Sequence, residues 1–471
     1  MQVKTLMAQE LYKHLNGLRI CVAGAGVTGL AVARSLTKRG VEVTLIDENK
    51  GSTDEFPVVH PDSITITNFD RLLISPGWRD NHPVIQAARA ANVPLINEVD
   101  YAWSVKKPAQ KWISLTGTNG KTSTVELTAA MLQAGGVSAI ACGNVGTTVI
   151  ESVESLEDYQ VLVLELSSFQ LHWMEDASFI AAAILNIAQD HIDWHGNFDA
   201  YAGAKLSILD RATTAILNGE DGEIVTRVAH WQGQKVFFSL DTPGPGEIGI
   251  VEELLVDRAF VADANEAAMI AELAEVKPTV PHSVSNALAA SGLALTAGVT
   301  HEALRSAIST FTPGRHRIEK VYESDGVTWI DDSKATNPHA ASASIMSALS
   351  VIWVAGGLAK GAEMGELIER VKARVRVAIL IGEDRALIAD ALRERAPHIQ
   401  VELIDSPAGY SKGGGDNSLM ETVIRTAKAK AVSGDTVLLA PACASMDQFL
   451  SYSDRGDRFK SAVEKVVRDG N

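Results

Sequence analysis

At 471 residues, 46% hydrophobic and 21% charged, the chain is too long for one ordinary core and suits about three globular domains. A net charge of −16 with no long basic run excludes nucleic acid or an anionic membrane surface as the main partner. The three cysteines, Cys21, Cys142 and Cys443, form neither a disulfide framework nor a zinc spacing, and no apolar run is long enough to cross a bilayer. A reducing, cytoplasmic setting without membrane insertion is therefore expected.

Residues 1 to about 17 read as a helical or frayed lead-in. Residues 19–23 then form an apolar strand, followed by G-A-G-V-T-G at 24–29 and a helix through Leu36. A second strand, Val41 to Ile46, ends at Asp47-Glu48. This is the β-turn-α-β unit of a dinucleotide-type site, with an acidic residue placed for a ribose hydroxyl. By itself the glycine pattern leaves a nicotinamide dehydrogenase open. Residues 71–74 form another strand, running into Ser75-Pro76-Gly77. Residues 1–108 read as one nucleotide-binding domain, with Lys106-Lys107-Pro108 as linker.

The central domain, 109–313, starts on L-T-G-T-N-G-K-T-S-T at 115–124. Trp112, Ile113 and Leu115 predict a buried strand, and residues 125–132 a helix closed by Gly135-Gly136. Gly117 and Gly120 let the backbone wrap close to phosphate oxygens, with loop N–H groups aimed at the anion. Lys121 adds a positive charge and Thr122 a hydroxyl for Mg²⁺. Leu115 stands where the strict P-loop spacing puts a glycine, so the loop is a shortened variant; the bland alternative is an ordinary glycine turn. The continuous apolar run 161–164 predicts a parallel strand buried on both faces, with Glu165 at its C-terminal end as a candidate Mg²⁺ ligand. The strand 182–185 ends at Asn186, and Asp190-His191-Ile192-Asp193 follows. Its place after a sheet strand favours a functional His191. Lys205 lies in an expected helix, 201–206, where spacing alone suits a solvated lysine. Residues 215–218 and 236–238 predict strands, 241–263 hairpins, and 287–297 a helix after the lead 278–286.

Thr312-Pro313-Gly314 is the expected hinge to a C-terminal domain, 314–471. Strands at 327–330, 351–354, 377–380 and 437–439 each run into a polar loop. The loops are D-D-S-K-A-T-N at 331–337, Gly356-Gly357 with Lys360, Gly382-Glu383-Asp384, and P-A-C-A-S-M-D-Q-F at 441–449. One edge of this sheet is thus chemically equipped. Residues 406–418, with Gly413-Gly414-Gly415, suit a flexible insertion.

Over essentially its whole length the chain resembles the Mur ligases. L-T-G-T-N-G-K-T-S matches the ATP loop that these enzymes share with folylpolyglutamate synthetases. L-E-L-S-S-F-Q-L at 164–171, D-D-S-K-A-T-N, and Ala440 to Phe449 point to the D-glutamate-adding branch. The resemblance implies a three-domain α/β fold: Rossmann-like N-terminal, P-loop-type central and Rossmann-like C-terminal domains. It also implies a monomeric, ATP-dependent ligase in peptidoglycan precursor synthesis, acting on UDP-N-acetylmuramoyl-L-alanine and D-glutamate.

Carried residue by residue, the resemblance gives the loop Gly117, Thr118, Asn119, Gly120, Lys121, Thr122 and Ser123 to the ATP phosphates. It assigns one Mg²⁺ to Thr122 and Glu165, and a second to His191 and a Lys205 carbamylated by CO₂, whose carbamate is an anionic oxygen ligand. Asn286, Arg317, Asp332 and Lys334 are assigned to ATP. Lys334, Thr336, Lys360, Ser445 and Tyr452 are assigned to D-glutamate. Val27, Thr28, Asp47, Gly77, Asn144, Ser167 and His191 are assigned to the UDP-sugar side. Asn49, where an arginine near the uracil would help, Ser283 and Tyr452 depart from the family's pattern. A glutamate-adding ligase acting on a folate and a nucleotide-switched binding protein are the alternatives.

Overall fold

The computed structural model describes residues 14–49, 51–412 and 415–468. The N-terminal lead-in up to residue 13, and Gly413 and Gly414 of the expected insertion, lie outside the described residues. Two compact units divide the chain. Unit 1 runs up to Ile187 and includes Asp199–Thr279 and Ser283–Phe311. Unit 2 comprises Ala188–Phe198, Val280–His282 and the chain from Thr312 on, so the division falls at the Thr312-Pro313-Gly314 hinge.

Unit 1 carries two sheets. The first has β1 (Arg19–Ala23), β2 (Glu42–Ile46), β3 (Val58–Val59), β4 (Arg71–Ile74) and β5 (Leu95–Asn97), in the order β3-β2-β1-β4-β5 and parallel throughout. The strand order reverses beside β1, which opens a crevice at the strand C-termini, where Asp47 and Gly77 lie.

The second sheet holds β6 (Lys111–Thr116), β7 (Ala139–Gly143), β8 (Val161–Glu165), β9 (Phe179–Ile184), β10 (Ala212–Asn218), β11 (Gln234–Phe238), β12 (Glu247–Val251), β13 (Leu254–Asp257) and β14 (Ala268–Glu272). Their order is β14-β13-β12-β11-β10-β9-β6-β8-β7; β12 and β13 form an antiparallel hairpin within the expected 241–263, and β14 adds a further antiparallel strand beyond it. β6 lies between β8 and β9, so its C-terminal loop emerges at the middle of a buried parallel array. The helices Lys121–Ala134, Pro281–Leu295 and His301–Thr310 share one apolar core with these strands.

Two helices begin earlier than the sequence reading placed them. The first starts at Lys121, directly after Gly120, so Lys121 and Thr122 stand on its first turn. The second starts at Pro281, a residue pre-organised for the first helical position, so Asn286 lies inside the helix instead of in its lead.

Unit 2 holds β15 (Glu319–Ser324), β16 (Val327–Asp331), β17 (Val351–Gly356), β18 (Val375–Ile381), β19 (Gln400–Leu403) and β20 (Thr436–Leu439), in the order β15-β16-β20-β17-β18-β19. β15 pairs antiparallel with β16 and was not foreseen; it is an edge strand whose residues are all partly exposed, with no apolar run to mark it. β16, β20 and β17 are adjacent and parallel, so the loops after Asp331, Leu439 and Gly356 emerge side by side. The described flanks of the expected insertion are anchored: Tyr410 OH donates to Gln448 O at 2.9 Å, and Arg458 Nη2 to Lys412 O at 2.8 Å.

Within unit 1 the first sheet is tied to the second by buried carboxylates. Asp100 accepts N–H groups of Glu175, Asp176 and Ala177 at 2.7–2.9 Å. Glu98, 3% exposed, accepts the Ile150 N–H at 3.1 Å, and burial pushes its carboxyl up to about 7. Its folded value lies above its unfolded one. Its contribution to stability is therefore fully present below the unfolded value of 4.5 and is lost as pH rises through about 7. Glu98→Gln keeps an acceptor and removes the titration. Between about pH 5 and 8 the wild type should lose more melting temperature than this variant; equal slopes in thermal unfolding would contradict the assignment.

Candidate functional site

The loop after β6 is held open by its neighbours. Asn186, at the end of β9, receives the Asn119 N–H at 2.8 Å on its Oδ1 and returns its Nδ2 to Asn119 O at 3.1 Å. The Thr118 N–H donates to Asn186 O at 3.0 Å. Gly120 has φ +84°, and a Cβ there would lie 2.4 Å from Asn286 Oδ1, so both backbone conformation and space demand glycine. Leu115, where a strict P-loop has glycine, is fully buried as part of β6; the shortened loop is thus a strand residue doing core packing. Lys121 Nζ folds back on Gly117 O at 2.8 Å and Thr118 O at 3.0 Å, leaving an ammonium at the centre of the cradle. A helix N-terminus, a glycine loop and a cation converge here, which is a site for phosphate.

Two buried side chains flank that cradle. The register pairs Leu115 of β6 with Glu165 of β8, which sets Glu165 beside the loop. Glu165 is 2% exposed; its Oε1 accepts Asn144 Nδ2 at 3.0 Å, while its Oε2 is buried without a hydrogen-bond partner among the described residues. A buried carboxylate oxygen lacking a donor is costly, and next to a phosphate cradle it suits a hard divalent cation. Lys205 is also 2% exposed, on the helix Phe198–Leu206. Its Nζ donates to Gly117 O at 2.8 Å and lies 3.4 Å from Thr116 Oγ1 and 4.8 Å from the centroid of the Tyr201 ring. The solvated-lysine alternative is therefore overturned: tertiary packing folds this helix beneath the phosphate loop. Tyr201 OH pairs with Thr118 Oγ1 at 2.9 Å and completes the wall.

At the first sheet, Asp47 staples the glycine turn: its Oδ2 accepts the Ala25 N–H and its Oδ1 the Asn49 N–H, both at 2.9 Å. A cavity of about 370 Å³ opens there, lined by Asp47, Glu48, Asn49, Gly77, Trp78 and His82 among others. Trp78 meets His82 edge-on, ring centroids 4.3 Å apart. Val27 stands 74% exposed at the start of the helix Val27–Lys38, with Thr28 next to it. Ser167 caps the helix Ser168–Trp173 through the Gln170 N–H.

In unit 2, His191 adopts a left-handed conformation (φ +53°) before the helix Ile192–His195, with its N–H on Asp190 Oδ1 at 2.9 Å. Arg317 lies between two further left-handed residues, His316 (φ +63°) and Ile318 (φ +48°). For β-branched Ile318 this is a strained conformation of the kind concentrated at functional loops. Asp332 accepts the Ser344 hydroxyl, and burial pushes its carboxyl up to about 6. Lys334 Nζ sits 4.0 Å from the centroid of the Tyr452 ring. Burial raises the Tyr452 phenol, but the Lys334 charge and hydrogen bond outweigh it and the net shift is downward. Lys360 is left-handed at φ +50°, and Ser445 is buried.

The structure thus gathers the phosphate loop, Asn144, Glu165, Asn186, Lys205 and Asn286 in unit 1, and Lys334 with Tyr452 in unit 2. Sequence reasoning missed the roles of Asn186 and Tyr201. Asn186 ends a buried strand, and Tyr201 stands one helical turn before Lys205; these were the available signals.

A largely parallel sheet with a phosphate cradle and a candidate cation carboxylate, in a chain that also holds a Rossmann-like sheet and a further loop-edged sheet, is the architecture of an ATP-dependent ligase. The chain belongs to the Mur ligase family. Residues 115–294 match the Mur ligase middle domain, 316–443 the Mur ligase glutamate ligase domain, and 18–97 the Mur ligase MurD-like N-terminal domain. A UDP-N-acetylmuramoylalanine--D-glutamate ligase of Thermobifida fusca is 44% identical over 96% of this chain and 100% of its own length. One of the same name from Streptomyces coelicolor is 40% identical over 96% and 99%. Among solved structures, the fold is similar to a pseudomurein peptide ligase type C from Methanothermus fervidus (TM-score 0.59, 17% identity, 96% and 100% coverage). It is also similar to the UDP-N-acetylmuramate-alanine ligase MurC of Thermotoga maritima (TM-score 0.57, 18% identity, 95% and 99% coverage).

Gly120→Ala should strain a left-handed turn and drive a methyl into Asn286. We expect the KM for ATP to rise at least about tenfold with only a modest fall in melting temperature, because the strain is confined to one half-buried turn. A wild-type KM for ATP would contradict the loop geometry described.

Proposed function

We propose that this chain joins D-glutamate to UDP-N-acetylmuramoyl-L-alanine at the expense of ATP, in peptidoglycan precursor synthesis. The observation that carries this reading is a phosphate loop with buried Glu165 and Lys205 at its side, in a chain matched nearly end to end by relatives bearing that ligase name. Three domains are assigned: 1–108 for the UDP-sugar, 109–313 for ATP, and 314–471 for ATP and the incoming amino acid. Among the described residues no helix is long and apolar enough to cross a membrane; a cytoplasmic monomer using the cell's ATP fits the reaction.

Gly117 to Ser123 are assigned to the nucleotide phosphates, with Lys121 supplying the cation, and Asn286 is assigned to ATP. Thr122 and Glu165 are assigned to one Mg²⁺, and a Glu165 Oε2 buried without a hydrogen-bond partner among the described residues supports this. Lys205, as a carbamate, is assigned to a second; His191 is also assigned to a cation. When bound, the cations offset repulsion between a carboxylate and a polyphosphate and stabilise charge on the transferring group. Val27, Thr28, Asp47, Gly77, Asn144 and Ser167 are assigned to the UDP-sugar. In unit 2, Arg317, Asp332 and Lys334 are assigned to the nucleotide. Lys334, Thr336, Lys360, Ser445 and Tyr452 are assigned to D-glutamate, whose two carboxylates call for cations and hydroxyls.

The chemistry proceeds in two displacements. A carboxylate oxygen of the substrate's alanine attacks the γ-phosphorus; the bond to the β–γ bridging oxygen breaks and ADP leaves. The amine of D-glutamate then attacks the acyl carbon and loses a proton. The tetrahedral adduct collapses to an amide, and inorganic phosphate departs with the oxygen that came from the carboxylate. The protein's share is positioning and charge stabilisation, together with exclusion of water from the acyl phosphate.

Phosphate release should require ATP, the UDP-sugar and D-glutamate together. L-glutamate should be at least about a hundredfold poorer in kcat/KM, since its carboxylates cannot reach the same cations with the amine on the acyl carbon. Comparable kcat/KM for the two enantiomers would refute the assignment.

Lys205 gives a second check. Lys205→Ala and Lys205→Arg should both lose most activity, because neither can form a carbamate. Formate or acetate should partly restore Lys205→Ala by supplying an anionic oxygen. Full activity of Lys205→Arg would leave the carbamate without support, although such a bulky replacement at a buried site also calls for a thermal-unfolding control.

A further inference from the structure

Arg455 is among the largest fully buried side chains of the protein, with 0% exposure, on the helix Tyr452–Val463. Arginine is almost never buried this far without a carboxylate partner. Among the described residues Arg455 forms no ion pair; burial pushes its guanidinium down to about 10. Its hydrogen bonds go to a hydroxyl and to backbone carbonyls. Nε donates to Ser333 Oγ at 3.0 Å and Nη2 to Ser333 O at 3.0 Å. Nη1 donates to Cys443 O at 3.1 Å and, more weakly, to Gly356 O at 3.4 Å.

These acceptors belong to three different loops, and each loop carries part of the candidate amino-acid site. Ser333 immediately precedes Lys334, with Thr336 just beyond. Gly356 ends β17 and leads to Lys360. Cys443 stands two residues before Ser445. Tyr452 opens the helix that carries Arg455, one turn earlier, and its own carbonyl accepts Ser333 Oγ at 2.7 Å. The three loops need such a tie. Lys360 and Ala442 are left-handed without being glycine, at φ +50° and +58°. The helix itself is seated hard against β16: a Cβ at Gly456 would lie 2.2 Å from His316 Nδ1 and 2.7 Å from Asp331 Oδ2. A rigid, planar fork of donors on an immobile helix fixes distances between its acceptors in a way a lysine cannot.

We propose that Arg455 is the positioning residue of the amino-acid site, its guanidinium setting the spacing between the loops of Lys334 and Thr336, of Lys360, and of Ser445. This rests on the reading above in which those four residues receive D-glutamate. Arg455 touches none of the substrates; it acts through the loops. Asp447 and Asp331 act on this guanidinium only at a distance, and without an ion pair among the described residues it is a poor device for stability, since an apolar side chain of similar volume avoids the desolvation cost. The arrangement is explained by what it holds in place.

The test uses the full-length enzyme with wild type as control. Arg455→Lys keeps the cation and loses the fork; Arg455→Ala removes both. Both should raise the KM for D-glutamate at least about tenfold while the KM for the UDP-sugar stays within about twofold. Acyl phosphate trapped as a hydroxamate by hydroxylamine, with D-glutamate omitted, should still form. Millimolar guanidinium should lower the D-glutamate KM of Arg455→Ala, and Ser333→Ala should reproduce a smaller part of the defect. If Arg455→Ala does not fold, Arg455→Lys and Ser333→Ala decide. An unchanged D-glutamate KM in Arg455→Lys, or a KM for the UDP-sugar rising in parallel with it, would overturn the proposal. A wild type unable to use D-glutamate would instead refute the assigned reaction, and would do so before any variant is examined.

Discussion

A carboxylate that must react with a polyphosphate faces charge repulsion, and the structure of unit 1 is organised around that problem. Three adjacent parallel strands place the parts. β6 delivers the phosphate loop, β8 delivers Glu165 in register with Leu115, and β9 delivers Asn186 as the clamp on Asn119. The sheet is buried on both faces, so these positions are fixed by backbone pairing and core packing instead of by flexible side chains. Burial also gives the site its electrostatics. Glu165 and Lys205 are each 2% exposed, where electrostatic interactions are stronger than in water and leaving a polar group unsatisfied is costly.

Unit 2 solves a different problem by a similar device. Three neighbouring strands of one sheet, β16, β20 and β17, send three short polar loops out side by side. Two of these loops carry strained non-glycine residues, Lys360 after β17 and Ala442 after β20, and the segment before β15 carries His316 and Ile318, all with positive φ. Such conformations persist only where the surroundings over-determine them. Here the surroundings include the buried His316–Asp331 contact at 2.7 Å, which ties the segment before β15 to the end of β16, and the Arg455 guanidinium, which ties the loop bases to one helix.

What was legible in the sequence was what is local. The glycine-lysine-threonine loop is read from a few consecutive residues, because phosphate binding by backbone amides needs a particular run of conformations. The continuous apolar runs of β8 and β17 announce buried parallel strands for the same reason. Lys205 carried no such signal. It sits in Y-A-G-A-K-L, whose pattern does not tell a buried face from an exposed one, and its burial is decided by a helix folding under a loop some 90 residues earlier. Arg455 was hidden more thoroughly, since Y-S-D-R-G-D-R-F-K looks like a solvated helix. β15 escaped because an exposed edge strand has no apolar run to display, and the start of the helix Pro281–Leu295 was displaced because Pro281 was taken as part of the lead.

The central claim is that the alanine carboxylate is activated by phosphoryl transfer before the amine arrives. Oxygen isotope transfer tests it most directly. With the substrate carboxylate labelled in both oxygens and unlabelled water, the account predicts that each inorganic phosphate released carries one labelled oxygen, the other remaining in the amide. Phosphate free of substrate label, or carrying oxygen from labelled solvent in single-turnover conditions, would contradict it.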